Sequence, residues 1–301
     1  PCAAGTYQAS TAQSSCTDAA VGHSSGGTQI VNGNTFPAIS EIACAAGTYQ
    51  DQTGQTSCDD TDAGYYSLGT VGGLNVDSSV TTVASSQTPC AAGTYIATLG
   101  ASSCTDAATG YYSPGTISVN GMMDPATVDI PCPAGTFQAN TGQSSCDDAD
   151  AGYYSPGTIG GSGVDTSITT TATSQLLCFT GTWQNETGQT SCKDAESGYH
   201  SLGTTTLNGV VTNLANQQVP CAAGTYSLYS PTTPSLLREY CLIADAGYYS
   251  EGTVTDATTG VTAVATIQNP CGEGTYQGQT GQSSCDDAAA GYYSPGTIGA
   301  A

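Results

Sequence analysis

The feature that most constrains this chain is the placement of its 14 cysteines, which fall into seven successive pairs: Cys2/Cys16, Cys44/Cys58, Cys90/Cys104, Cys132/Cys146, Cys178/Cys192, Cys221/Cys241 and Cys271/Cys285. Six pairs are separated by 14 positions and one by 20, and the gaps between pairs run 28, 32, 28, 32, 29 and 30. A fixed period of this kind marks a repeat protein. An even cysteine count with no Cys-x-x-Cys and only two histidines, His23 and His200, favours disulfides over zinc, which needs four clustered ligands. The even spacing predicts bonding within each pair, in order. Disulfides persist in oxidising compartments, so the chain is expected outside the cytoplasm, extracellular or at the cell surface.

The repeats divide as residues 1–43, 44–89, 90–131, 132–177, 178–220, 221–270 (with an insertion) and 271–301 (truncated). Units of this size bury too little surface to fold alone and need a staple or a neighbour. Composition sharpens the point: Leu, Ile, Val and Phe make up only 41 of 301 residues and the net charge is −22, values that normally accompany disorder. Each loop closed by a 14-position disulfide adds roughly 3 kcal/mol in the chain-entropy model. The expected fold is all-β, an elongated array of seven small disulfide-stapled β-hairpin repeats in contact mainly with their neighbours.

Each repeat carries two motifs. The first, Cys-x-x-Gly-Thr-aromatic, places Tyr7, Tyr49, Tyr95, Phe137, Trp183, Tyr226 and Tyr276 five residues after the first cysteine. Ring bulk is kept while the hydroxyl is dispensable, which predicts a packing plug for a small core. The second reads Gly-Tyr-Tyr-Ser-Pro-Gly-Thr at 110–116, 152–158 and 291–297, with variants at 22–28, 64–70, 198–204 and 247–253. Its Pro-Gly step suits the centre of a type II turn and predicts a reversal after each Tyr-Tyr strand. Between pairs, Thr-, Val- and Ile-rich stretches such as 79–83 and 167–171 predict short strands. Asn32-Gly33, Asn120-Gly121 and Asn208-Gly209 predict two-residue hairpins 88 positions apart, and Gly72-Gly73 and Gly160-Gly161 share that spacing. The period is therefore a double repeat of 88.

At these motifs the chain resembles the GCC2/GCC3 and ephrin-receptor-like cysteine-rich repeats, related in style to tumour-necrosis-factor-receptor modules. The resemblance spans nearly all seven repeats. It departs where Cys58-Asp59-Asp60-Thr61 and Cys104-Thr105-Asp106-Ala107 replace the family's Cys-x-x-Cys, so one cysteine per half-unit is lost and the family's connectivity does not carry over. The resemblance implies extracellular display and no particular ligand or reaction.

Only Lys193 and Arg238 oppose 24 acidic residues, which excludes nucleic acid as a partner. Acids cluster after the second cysteine of each pair. Asp60 and Asp62, and Asp148 and Asp150, set alternating carboxylates before a glycine turn, so calcium is the one metal the pattern admits, although the distal bidentate Glu of an EF-hand is missing. The competing reading is Asp capping a turn through its own backbone. Asn185-Glu186-Thr187 is the single N-glycosylation sequon. No nucleophile, base and orienting group lie in a recognisable set, and both histidines stand in the second motif's Tyr-Tyr, so the chain reads as a non-enzyme without cofactor.

Two function classes remain, a structural subunit of a fibre, filament or surface rod, and a binding ectodomain or adhesin stalk. The insertion in repeat six carries the contact candidates Leu236, Leu237 and Arg238. No run approaches the roughly 18 apolar residues of a membrane span. Pro1 stands directly before the first cysteine and Ala301 lies 16 residues after the last. The expectation is either a window of a longer chain or ends that complement each other between copies, head to tail. The expected partners are copies of the chain itself, and glycans.

Overall fold

The computed structural model describes residues 1–71, 82–159, 170–227 and 239–297. Among these residues there is no helix, and every strand, two to four residues long, joins one antiparallel partner. The glycine pairs Gly72-Gly73 and Gly160-Gly161, most of the stretches 79–83 and 167–171, and the contact candidates Leu236, Leu237 and Arg238 lie outside the described residues. The 14 cysteines close into seven disulfides in chain order: Cys2–Cys16, Cys44–Cys58, Cys90–Cys104, Cys132–Cys146, Cys178–Cys192, Cys221–Cys241 and Cys271–Cys285, with Cα–Cα distances of 5.6 to 5.8 Å. The two ends of each staple differ in environment. The leading cysteine is buried in every repeat but the first, where Cys2 is half-buried. The trailing cysteines lie nearer the surface: Cys58, Cys104, Cys146, Cys192, Cys241 and Cys285 are half-buried and Cys16 is exposed. Each staple thus runs from the core outward, because its trailing end adjoins the exposed strand of the first hairpin. The chain is an all-β array of small stapled hairpins.

Local chemistry makes each hairpin. In the first motif the glycine takes a positive φ, as at Gly47 (88°), and Thr48 N–H bonds Ala45 O at 3.0 Å, closing a type II turn. The following Thr-aromatic pair forms a strand, Thr48–Tyr49, against the two residues after the second cysteine, Asp59–Asp60. The second motif repeats the device. Tyr65 N–H bonds Asp62 O at 3.0 Å, and Tyr65–Tyr66 pairs with Thr88–Pro89, which directly precede the next cysteine. The Pro-Gly step does have its glycine at positive φ (Gly115, 76°), but the Thr116 amide goes to Cys90 O and the Ser113 carbonyl accepts from Gly93. The reversal is thus held by partners outside the turn, together with Ser113 Oγ on the Gly115 amide. The Asn-Gly hairpins are two-residue turns with both central φ positive, 52° and 79° at Asn32 and Gly33, the type I′ geometry.

The chain divides into two compact units. In their described residues, the first takes 1–71, 82–132 and 138–146, the second 133–137, 147–159, 170–227 and 239–297. Within each, successive repeats are joined through backbone. In the first unit, Gly22 N–H donates to Gln50 O (2.7 Å), Gly64 to Ile96 (2.8 Å) and Gly110 to Gln138 (2.7 Å). A second rung runs back: Gly54 N–H to Ala19 O (2.8 Å), Gly100 to Thr61 (2.9 Å) and Gly142 to Ala107 (2.8 Å). In the second unit the same rungs are Gly152 to Gln184, Gly198 to Ser227 and Gly247 to Gln277, with Gly188 returning to Ala149 and Gly281 to Ala244. Threonines of the second motif reach back as well. Thr70 Oγ1 donates to Gly22 O (2.8 Å), Thr116 to Gly64 (2.7 Å) and, in the second unit, Thr204 to Gly152 (2.7 Å).

These contacts leave no room for large side chains. A Cβ on Gly5, Gly47 or Gly93 would fall well inside 3 Å of the carbonyl oxygen of Gly54, Gly100 or Gly142 in the next repeat, and Gly135 and Gly224 meet Gly188 and Gly281 likewise. The buried residues are accordingly small or polar: Ala19, Ala107, Ala149, Ala195 and Ala244, Thr61 in the equivalent place, six of the seven leading cysteines, and Ser113, Ser155 and Ser201. The aromatic plug expected from the first motif is corrected by this packing. Tyr7, Tyr49, Tyr95, Phe137, Trp183 and Tyr226 are half-buried and Tyr276 is exposed, so the rings cover the flank of a core built from Ala, Cys, Ser and Gln. Several apolar side chains point outward on the Asn-Gly hairpins, with Ile30 73%, Met122 74% and Val210 66% exposed.

Alanine at two glycines separates backbone strain from junction contact. Gly121 (φ 81°) has open space around it and Gly93 (φ 88°) abuts Gly142. Gly121→Ala should cost about 1–2 kcal/mol, and Gly93→Ala a further ~2–3 kcal/mol from overpacking. Urea unfolding midpoints of the two variants read the difference; equal midpoints would show that the junction yields.

Candidate functional site

The acids after each second cysteine have specific partners. Asp62 N–H donates to Gln87 Oε1 (2.7 Å), and Gln87 Nε2 donates back to Asp62 Oδ2 (2.7 Å). The same reciprocal pair forms between Asp150 and Gln175, Glu196 and Gln218, and Asp245 and Gln268. In repeats one and three the roles are exchanged: alanine replaces the acid, and the amides of Ala20 and Ala108 donate to Glu41 and Asp129. Each of these six repeats thus places one carboxylate at this point, on one side of the pairing or the other. A carboxyl–amide pair satisfies donor and acceptor on both sides, whereas two carboxylates would repel.

Of the calcium candidates, Asp62 and Asp150 are therefore engaged by glutamine. Asp60 and Asp148 lie instead over Gly100 and Gly188 of the next repeat. Among the described residues the one group of three or more close metal-type ligands lies elsewhere, at His200, Cys221 and Cys241. The neighbouring carboxylates do act on the rings. Burial, then the charges of Asp62, Asp51 and Asp59, raise the Tyr49 hydroxyl above its ordinary pKa; burial and Asp129 do so for Tyr95, and burial and Asp245 for Tyr226.

A residue type that sequence reasoning passed over closes the disulfide loops from inside. Gln50, buried behind Tyr49, donates from Nε2 to Ser57 O (3.1 Å) and accepts from the Gln52 amide at Oε1 (3.1 Å). In this way it braces the loop just ahead of Cys58. Gln8, Gln184 and Gln277 do the same ahead of Cys16, Cys192 and Cys285, through the carbonyls of Ser15, Ser191 and Ser284. The signal is present in the sequence as a glutamine one residue after the aromatic in five repeats, with Ile96 and Ser227 the exceptions.

The remaining candidates are spread out. Asn185 is exposed, and its Oδ1 accepts from Lys193 Nζ (2.9 Å), which also sits 5.5 Å from the Trp183 ring centroid. His23 lies 4.0 Å from Glu41. His200 Nδ1 stands 3.3 Å from Cys241 Sγ, and burial holds its pKa below the ordinary histidine value.

At the far side of repeat seven, Tyr276, Ala288, Ala289, Tyr292, Tyr293, Ser294 and Pro295 line a cavity of about 420 Å³. Tyr292 and Tyr293 are 80% and 90% exposed, whereas their counterparts Tyr65, Tyr66, Tyr111 and Tyr112 are half-buried beneath the following repeat. No helix among the described residues is long and apolar enough to cross a membrane. No protein-family model matches the chain, and no curated protein is similar to it.

Exchanging the carboxylate between the two paired positions tests the site. Asp62→Ala and Gln87→Glu should each lower stability by about 1 kcal/mol, and the double variant, which reproduces repeats one and three, should recover most of the loss. Additive losses in thermal or urea unfolding would show that the two positions act independently.

Proposed function

We propose that this chain is a structural, non-enzymatic subunit of an extracellular fibre, filament or cell-surface rod whose copies join head to tail. The uniform main-chain junction between repeats carries this reading. Each repeat donates a glycine amide to the next and accepts one in return, as in Gly22 N–H to Gln50 O with Gly54 N–H to Ala19 O, and again in Gly64 N–H to Ile96 O with Gly100 N–H to Thr61 O. A surface that serves every internal junction alike can join one copy to another through the same bonds.

Seven disulfides require an oxidising environment for folding, which supports placing the fibre outside the cell. The near absence of Lys and Arg suits exposure to trypsin-like proteases. A second reading, a binding ectodomain or adhesin stalk, draws support from the apolar residues exposed on the Asn-Gly hairpins, since isolated two-stranded hairpins are marginal in water and gain from a partner surface.

Negative-stain electron microscopy of non-reduced protein tests the assembly, and long filaments of uniform width are the expected outcome. Single-chain particles from wild-type protein would favour the display reading.

A further inference from the structure

The sixth disulfide differs from the others in two ways. Cys221 and Cys241 are 20 positions apart against 14 elsewhere, and a histidine faces them. His200 belongs to the strand Tyr199–His200, which pairs with Val219–Pro220 immediately before Cys221. Its place in the second motif is filled by tyrosine in five other repeats, at Tyr66, Tyr112, Tyr154, Tyr249 and Tyr293, and by Ser24 in the first. Nδ1 of His200 stands 3.3 Å from Cys241 Sγ, and the Nδ1/Nε2, Sγ and Sγ ligand atoms of the three residues lie within 4.8 Å of one another. Cys221 is buried, while His200 and Cys241 are half-buried, so the group is open from one side.

Two thiolates and an imidazole are soft and borderline ligands suited to a tetrahedral d¹⁰ cation, with Zn–S near 2.3 Å and Zn–N near 2.0–2.1 Å. We propose that reduction of Cys221–Cys241 converts this staple into a zinc site held by Cys221 Sγ, Cys241 Sγ and His200, with water in the fourth position. The reductant is a small thiol or dithiol. It delivers two electrons and two protons to the sulfur pair and leaves as its own disulfide. Zinc then displaces both thiol protons to solvent as the thiolates bind. The backbone pairing of His200 with Val219 holds imidazole and cysteine together through the change, and the chain's net charge of −22 favours a cation. Repeat six thereby exchanges a covalent closure for a metal one, and the other six repeats, lacking the histidine, do not.

The experiment is alkylation mapping on the whole chain. Protein is reduced with excess dithiothreitol without denaturant and desalted, and circular dichroism verifies that its strand signal is retained. It is then treated with iodoacetamide with and without zinc, and cut with chymotrypsin, because only two basic residues are present for trypsin. Zinc should slow alkylation of Cys221 and Cys241 by about tenfold or more, as metal-bound thiolates are withdrawn from the reagent, and leave the other 12 cysteines unaffected. His200→Tyr installs the residue that five other repeats carry, so it should preserve the oxidised fold and abolish the protection. No protection at Cys221 and Cys241, equal protection at all seven pairs, or protection that survives His200→Tyr would each overturn the proposal.

Discussion

The glycine carbonyl that opens the second motif of repeats one, two, four and five accepts two hydrogen bonds from residues further along the chain. Gly64 O accepts from the Cys90 amide at 2.9 Å and from Thr116 Oγ1 at 2.7 Å. Both lone pairs of one backbone oxygen are thus committed to the next repeat, and the arrangement recurs at Gly22, Gly152 and Gly198. Much else depends on it. The cysteine that begins a repeat is positioned by its own amide as well as by its disulfide, and the threonine that ends the second motif is drawn back across the junction. Buried acceptors must be satisfied, so a junction made of main chain has little tolerance for sliding.

Main-chain contact also explains the composition that would otherwise indicate disorder. When glycine faces glycine, the volume between repeats holds a methyl group, a hydroxyl or a sulfur, and little more. Alanine, serine and the leading half of each cystine fill it, and the larger apolar side chains are displaced to the hairpins outside. Low hydrophobicity here reflects the absence of space for bulk, and the stability that a larger core would supply is carried by hydrogen bonds and staples.

The parts of this architecture that are legible in the sequence are the local ones. Cysteine spacing, the turn glycines and the Asn-Gly hairpins each act over a few residues, and they are enough to indicate an all-β array of stapled repeats. Features set by pairing at a distance are not legible. The exchange between Asp62–Gln87 and Ala20–Glu41 joins positions 21 to 25 residues apart, in a segment whose register no local signal reveals. Gln50 is marked in the sequence only by recurrence, as the residue after the aromatic in five repeats, and its burial depends on tertiary packing that no local pattern encodes. The aromatic rings carry the pattern of a core, yet the junction is too narrow to admit them. Nor does cysteine spacing tell that Cys16, Cys192 and Cys285 lie toward the surface while their partners, apart from the half-buried Cys2, sit in the core.

Disulfides confined to neighbouring cysteines have a mechanical meaning. Each locks its own short loop and leaves the 28 to 32 positions between one pair and the next unstapled. Under tension the junction hydrogen bonds are what yields, and each repeat then releases roughly 30 residues, about 100 Å of chain, before its staple halts further extension. A chain loaded end to end would lengthen in steps of similar size and dissipate work at every step. It would also keep seven covalently intact loops from which each repeat can close again.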